Sequence, residues 1–410
     1  MRRSVVLLSL FVVISYASHG AAQDQPDADQ AEPEAATRTG LIEQEEDAKA
    51  AALVPAGPGK AEQYVNRLSE MFLGQQARWH AYWDSAYAGG GFTMGAGYLW
   101  YTSPYNTLDV RGSITFSGYK RLEAEFVDPE LFGKRGRLSV LGGWREATEV
   151  GFYGFGMETT DNNRTNYSFQ QPYIGATLEI YPTRRLFLVR GGLELSQWRQ
   201  NPGSGDVPSV DQVYTPETLP GLGARPVYWH TQATIGLDSR EPGPGYSRRG
   251  GFYGVTVHDY ADHDSAYGFN EVDYEVIQHI PILRETWVVS LHGLAETTSG
   301  KDGQQIPFFM TPAVGGGSEL RAYNSWRLRD LNSLLLQAEW RVMVNRFVDM
   351  AVFYDTGKVA ARRQDLDLRD MKTDVGLGFR FHGPAATPLR IEVAHGQEGF
   401  GIVFAASEAF

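Results

Sequence analysis

The sequence contains no cysteine, which excludes disulfides, thiolate metal sites and cysteine nucleophiles. It also lacks an excess of positive charge. The formal net charge of -12 at pH 7 argues against nucleic acid as a partner, because phosphate binding requires a basic surface. Beyond the N-terminus no run approaches the ~18 consecutive apolar residues that a spanning helix requires. A mean hydropathy of -0.33 still permits a membrane β-barrel, because alternating strands need no uniformly apolar segment.

The N-terminus has the three parts of a secretory signal. Arg2 and Arg3 form a short positive region, residues 4–17 form an apolar run, and residues 20–22 are the small residues Gly-Ala-Ala. The apolar run is short for a membrane anchor and an acidic stretch follows it. We therefore expect a signal peptide over residues 1–22 and export from the cytoplasm.

Two further segments precede the main body of the chain. Residues 23–59 are dominated by Ala, Glu, Asp, Gln and Pro, so we expect a disordered acidic periplasmic tail. Residues 60–87 are expected to form an amphipathic helix and a linker, because apolar residues recur there at helical spacing and Gly74 stands at a C-cap position. This helix would plug the mouth of a barrel, lie on the inner leaflet or pack against the barrel rim.

From residue 88 to Phe410 the chain consists of short alternating segments separated by Gly, Pro, Asn and Asp. In residues 334–344, for example, Leu336 and Trp340 share one face, and Glu339 points to the other. Alternation alone would also suit a soluble sandwich. A barrel is favoured because the polar face carries charges of both signs and because the last strand ends on an aromatic residue.

The final strand has Phe404 on the same face as the terminal residue Phe410, a pattern that resembles the C-terminal signature of outer-membrane proteins. The predicted fold is therefore all-β: a transmembrane antiparallel β-barrel of about 16 strands over residues 88–410. The expected strands are 91–102, 107–118, 120–129, 136–147, 150–159, 167–181, 185–198, 226–238, 250–260, 268–280, 285–297, 333–344, 347–359, 373–382, 388–396 and 399–410.

The long segment between Gly300 and Leu331 is predicted to be a loop, and it contains a distinctive motif. Gly315, Gly316 and Gly317 are followed by Ser-Glu and then by the tetrad Leu320-Arg321-Ala322-Tyr323. This resembles the sixth loop of the BamA/TamA family, also called the bacterial surface antigen family, in which Gly-Gly precedes a Val/Ile-Arg-Gly-Phe/Tyr tetrad. The segments Ala338-Glu339-Trp340-Arg341 and Phe353-Tyr354-Asp355-Thr356-Gly357 resemble the next two strands of that family.

The resemblance implies an internal lock in which Arg321 bonds Glu339 or Asp355 inside the barrel. Alternation places both carboxylates on the luminal face, and a guanidinium in a confined space requires such partners. The alternative is an ordinary surface-loop arginine.

The resemblance also implies a non-enzymatic role in helping proteins, or lipids, to enter or cross the outer membrane, partly through a weak seam between the first and last strands. The expected partners are outer membrane lipids and unfolded outer membrane protein clients, with no cofactor and no metal. Larger family members carry periplasmic receiving domains, and we expect a short form without them, for which a passive pore or a structural barrel is the alternative. The sequence indicates no oligomeric state.

One cluster suggests a different class of function. His258, Asp259, Asp262, His263 and Asp264 follow one another closely and could activate water for hydrolysis or bind a divalent cation. A solvated acidic loop has the same composition. We therefore predict that the protein is not an enzyme.

Overall fold

The computed structural model describes residues 78–410, apart from 184–185, 242–246, 284, 346, 383–388 and 406–408. The predicted signal peptide, the acidic tail and the predicted helix with Gly74 lie outside the described residues. The described part is almost entirely antiparallel β-sheet, as the sequence predicted.

The strands follow one another along the chain with short connections. They are β1 (Trp79–Ala81), β2 (Thr93–Tyr101), β3 (Thr107–Thr115), β4 (Lys120–Glu130), β5 (Gly136–Phe152), β6 (Thr165–Ile180), β7 (Phe187–Gln197), β8 (Arg199–Pro202), β9 (Val227–Asp238), β10 (Gly250–Asp262), β11 (Phe269–Leu283), β12 (Trp287–Gly300), β13 (Ala313–Val314), β14 (Leu328–Arg329), β15 (Asn332–Asn345), β16 (Val348–Ala360), β17 (Lys372–Phe381), β18 (Leu389–Gly396) and β19 (Gly399–Ala405). Two four-residue helices, α1 (Leu131–Lys134) and α2 (Val210–Val213), and three single-turn 3-10 helices, Asp161–Asn163, Phe308–Met310 and Arg363–Asp365, lie in the connections.

Within the described residues, 17 strands belong to one sheet, while β13 and β14 form a separate two-stranded sheet. β7 and β8 both pair with β6 and are interrupted only at Trp198, so they count as one pass. The large sheet therefore makes sixteen passes, each antiparallel to the next. This agrees with the predicted number and with the even strand count of bacterial outer-membrane barrels.

The sheet has an apolar outer face and a polar inner face. In β16, Val352 and Tyr354 are exposed while Phe353 and Asp355, which alternate with them, are buried. The same alternation exposes Leu377 and Phe379 in β17. Exposed apolar side chains on every other strand residue suit contact with lipid, and every backbone group within a ladder is paired. No helix in the described part of the chain has the length and apolar character needed to cross a membrane.

Two strands differ from the prediction. The expected strands 136–147 and 150–159 are one strand, β5, which has a bulge between Ala147 and Val150. The bulge interrupts the alternation of side chains along the strand, and the sequence therefore suggested a turn at this point. The first pass is instead the short strand β1, which pairs with β2 through Trp79↔Tyr98 and lies within the range expected to be a linker. The predicted count of sixteen agreed because these two errors compensate.

One end of the interior is filled with aromatic side chains from the strands and from the connections at that end. Phe152, Tyr167, Phe169 and Phe308 are fully or almost fully buried within this cluster. Edge-to-face contacts, such as Tyr167 with Phe308 at a centroid distance of 4.9 Å, connect the walls to the segment that follows β12. The segment between β12 and β15 thus packs inside the sheet.

Candidate functional site

The connection between β12 and β15, residues 301–331, turns into the interior and packs against the wall made by β15 and β16. Val314 and Leu320 join Leu335 and Val359 in a buried apolar cluster. The turn between β13 and the tetrad depends on Gly315 and Gly316, whose φ angles of 135° and 116° are rarely adopted by residues with a side chain. The predicted loop is confirmed, and its glycines allow it to fold back on itself. We call residues 313–329 the inner loop.

Arg321 lies at the centre of the inner loop contacts and is 2% exposed. Its guanidinium lies 2.6 Å from Glu339 Oε1, 3.0 Å from Asp355 Oδ2 and 3.2 Å from Glu392 Oε1. It also stacks over the ring of Phe353 at 3.7 Å. A buried cation costs several kcal/mol unless it is paired, and three carboxylates supply that pairing here.

Four arginines and four carboxylates share this luminal region. Arg380 contacts both Glu339 at 2.6 Å and Glu392 at 3.0 Å, and Arg341 contacts Glu339 at 2.7 Å. Arg390 contacts Glu392 and also donates to the backbone oxygen of Gly317 in the inner loop. The remaining three of the eight charges are Arg321, Asp355 and Asp374. We call these eight residues the luminal charge network: Arg321, Glu339, Arg341, Asp355, Asp374, Arg380, Arg390 and Glu392.

Three ionisable groups of the inner loop have raised pKa values: Glu319, Arg321 and, chiefly through burial, Tyr323. Burial alone lowers the pKa of the Arg321 guanidinium, but Glu339, Asp355 and Glu392 outweigh it, and the net pKa lies above the ordinary value. Burial, together with the nearby charge of Glu296, raises the pKa of Glu319 to about 8. Its carboxyl oxygen Oε2 accepts a hydrogen bond from the Gly315 amide at 2.7 Å. Arg321 therefore stays charged while Glu319 titrates near neutral pH.

The residues beside Arg321 fix the inner loop to the last strands. The Ala322 amide donates to Asp374 Oδ2 at 2.9 Å, and the Tyr323 hydroxyl donates to the Thr373 carbonyl oxygen at 3.2 Å. The Ala322 φ is not positive, so the alanine at this position introduces no strain. Gly401 of β19 is required for close approach, because a Cβ there would lie 2.3 Å from the Arg321 carbonyl oxygen.

A second buried arginine joins the tip of the inner loop to three separate connections. Arg327 is 0% exposed and binds both carboxylate oxygens of Glu398, at 2.6 and 2.7 Å, in the turn between β18 and β19. It also donates to the hydroxyl and carbonyl oxygens of Thr159 between β5 and β6. Its neighbour Trp326 donates to the Ala88 carbonyl oxygen at 3.0 Å, between β1 and β2. The tip therefore contacts both ends of the sheet.

The two aromatic residues of the predicted C-terminal signature face different ways. Phe404 in β19 is 68% exposed on the outer face, as expected. Phe410 does not share that face: it stacks on His292 at 5.0 Å and lies 5.3 Å from the Arg341 guanidinium, both luminal groups. The prediction of one common face for both residues is wrong because the described part of β19 ends at Ala405 and the alternation does not continue to the last residue.

The structure brings together the three residues of the predicted lock, Arg321, Glu339 and Asp355. Three further residues of the site were not identified from the sequence: Glu392, Arg380 and Arg327. Strict alternation was the signal available for Glu392 and Arg380, since it places them on the luminal face. No local pattern could have paired Arg327 with Glu398, because 71 residues separate them.

The cluster of His and Asp residues at the end of β10 and in the loop that follows does not form one site. His258 points to the lumen and contacts Asp273, whereas Asp262 accepts two backbone hydrogen bonds within its own loop. His263 and Asp264 are exposed. The strand and the loop separate side chains that are neighbours in sequence.

A sheet with an apolar outer face, a charged interior and a long connection held inside it defines a β-barrel of the outer membrane. The Omp85 superfamily domain matches residues 106–410, and the chain belongs to this superfamily. This agrees with the resemblance to the BamA/TamA family noted from the sequence. Members of the superfamily are generally non-enzymatic transporters or insertases.

The structure of BamA supports the fold, and that of CdiB is a weaker match. BamA from Haemophilus ducreyi lacking POTRA domains 1–3 is 14% identical, with a TM-score of 0.57 over 80% of this chain and 67% of that chain. CdiB from Acinetobacter baumannii is 12% identical, with a TM-score of 0.47 over 76% of this chain and 56% of that chain. No curated protein matches.

Proposed function

We propose that this protein assists the insertion or translocation of proteins at the outer membrane, and that the docked inner loop is required for this activity. The proposed activity is non-enzymatic, and its clients are unfolded outer membrane proteins that meet the barrel from the membrane. The observation that carries the proposal is the burial of Arg321 among Glu339, Asp355 and Glu392 in a chain that belongs to the Omp85 superfamily.

The lengths of the strands at the two ends of the sheet support this proposal. The described part of β1 has 3 residues and that of β19 has 7, whereas β15 between them in the sheet order has 14. Within the described residues, these two strands offer few ladder hydrogen bonds to one another, and we infer that the seam between the ends opens more easily than the other strand pairs. A client strand could then pair with an exposed edge.

The inner loop contacts the strands next to that edge. It contacts β19 directly, since the Gly401 and Val403 positions lie against Arg321 and Gly317. It also binds β15 through Glu339 and β18 through Glu392. We infer that a docked loop holds the last strands of the sheet in one arrangement, in which a client strand pairs with the edge of β19.

Reconstitution tests the proposal directly. The full chain is placed in liposomes, a urea-unfolded outer membrane barrel is added, and its folding is followed by the shift in gel mobility of the unheated sample. We expect faster folding than in empty liposomes, and slower folding again when the liposomes contain Arg321→Ala. Glu125→Gln, a luminal carboxylate near the other end of the sheet, is the control and should fold clients at the wild-type rate.

A passive pore makes a different prediction in planar bilayers. The aromatic cluster and the inner loop fill part of the interior, so the wild-type protein should show little steady conductance. Steady open-channel currents from the wild-type protein, together with no acceleration of client folding, would replace the insertase proposal with a pore.

A further inference from the structure

Three carboxylates converge on the luminal wall at a distance from the luminal charge network. Glu271 and Asp273 lie on β11 and Glu296 on β12, and each offers an oxygen within 4.8 Å of the others. Asp273 and Glu296 are direct cross-strand partners in the register of the two strands. Like charges directly opposite one another destabilise a sheet unless something compensates them.

The compensation that the luminal charge network receives is missing here. Among the described residues, Glu271 has no hydrogen-bond or ion-pair partner, although protein atoms surround it closely. Asp273 Oδ1 is a buried oxygen without a hydrogen-bond partner. Neither lysine nor arginine pairs with any of the three in the described part of the chain, whereas four arginines serve the four carboxylates around Arg321.

The groups facing the three carboxylates are compatible with a cation. His258 on β10 contacts Asp273 Oδ2 at 3.0 Å through Nε2, and its Nδ1 lies 2.9 Å from Nε2 of His230 on β9. On the other side, the Ser333 hydroxyl of β15 donates to Glu296 at 2.6 Å. An imidazole and a hydroxyl that hold carboxylates in place are common supports around a bound metal.

A luminal cavity lies next to His230, the residue that contacts His258. A luminal cavity of about 170 Å³ is lined by Tyr173, Thr177, Glu194, His230 and Gln232, among others. His230 thus contacts both the cavity and His258, the residue next to the carboxylates. A hydrated ion could reach the wall through such a polar space.

We propose that Glu271, Asp273 and Glu296 form a binding site for one divalent cation of the calcium type. Oxygen atoms are the ligands that hard cations prefer, and Ca²⁺ accepts oxygens at about 2.3 to 2.6 Å in flexible geometries. Oxygens up to about 4.8 Å apart can therefore touch one Ca²⁺, whereas the shorter distances of Mg²⁺ require a tighter set. The bound ion would join β11 to β12 and neutralise their facing charges.

The test uses the full chain, refolded in detergent without lipopolysaccharide, so that no cation-binding lipid is present. After treatment with a chelator, Ca²⁺ is titrated calorimetrically into the wild type, into Glu271→Gln and into Glu296→Gln. We expect one saturable site in the wild type and at least about tenfold weaker binding in each variant, because each loses a charged ligand. Asp264→Asn, an exposed carboxylate in the next loop, is the matched control and should bind as the wild type does.

Thermal unfolding separates a cation site from a merely structural role. With chelator present, Glu296→Gln should unfold at the same temperature as the wild type or a higher one, because one of two facing charges is gone. With Ca²⁺ present, the wild type should unfold at a higher temperature than Glu296→Gln, since only the wild type is stabilised by the bound ion. Absence of Ca²⁺ binding, unchanged binding in both variants, or tighter binding of Mg²⁺ than of Ca²⁺ would overturn the proposal.

Discussion

Removing the Arg321 guanidinium should release the inner loop from the lumen. In Arg321→Ala, Glu339 retains Arg380 and Arg341 as partners, and Glu392 retains Arg380 and Arg390, but Asp355 loses its arginine and retains the Gln337 amide. Breaking a buried ion pair from one side costs about 3 to 5 kcal/mol. Because the network is only partly disrupted, we expect the lower end, about 3 kcal/mol, or a rise of roughly 100-fold in the population with the loop undocked.

The absence of native cysteine makes this measurable. Val314→Cys places a thiol at a position that is 1% exposed in the docked loop, so a maleimide should react only after undocking. The labelling rate of this probe should rise by roughly 100-fold when Arg321→Ala is added. Ser318→Cys, at an exposed position of the same loop, should label quickly in both backgrounds.

A second substitution checks the physical reason. Adding Asp355→Asn to Arg321→Ala removes the unpaired buried charge, and the labelling rate should fall back towards that of the wild type. A cost of about 3 kcal/mol for undocking should change the labelling rate of Val314→Cys by far more than threefold. If Arg321→Ala changes that rate by less than about threefold, the reasoning is refuted.

Three further predictions concern other contacts of the loop and of the C-terminus. Glu398→Gln leaves the buried Arg327 without its carboxylate partner. It should destabilise the docked state of the inner loop by about 3 kcal/mol, which the same labelling assay measures. Glu319 has a folded-state pKa raised to about 8, so its contribution to stability is complete below its ordinary pKa and is lost as the pH rises through 8. The melting temperature of the wild type should therefore fall relative to that of Glu319→Gln between pH 6 and pH 9. Phe410→Ala should lower the free energy of unfolding by about 1 to 3 kcal/mol through the lost ring contacts, as measured by urea unfolding in detergent.

Alternation made most of the sheet predictable from the sequence. In the central parts of β15 to β18 every second residue is apolar and faces outwards, so a period of two was enough to place Glu339 and Asp355 in the lumen. It failed at β5, because a bulge shifts the period by one residue, and at β1, because three residues are too few to show a period. It also failed at Phe410, which contacts the luminal groups His292 and Arg341 although the described part of β19 ends at Ala405.

The candidate site was only half predictable. The motif around Arg321 indicated an arginine that needs carboxylates, and alternation offered two of its three partners. The docking of the inner loop brings Arg321 beside Glu392 and Arg327 beside Glu398, and in each case 71 residues separate the two partners. No local pattern contains that information.

A reversible covalent bond tests most directly whether the docked inner loop is required for client insertion. A Cβ at Gly317 would lie 3.8 Å from the Val403 Cβ, which is the usual separation in a disulfide. Gly317→Cys with Val403→Cys can therefore hold the loop on β19 in a protein that also carries Arg321→Ala. In liposomes the oxidised triple variant should accelerate folding of an added barrel protein as the wild type does, and reduction should abolish the gain. Equal folding rates for the oxidised and reduced protein, or no acceleration by the wild type over empty liposomes, would contradict a role for the docked loop in insertion.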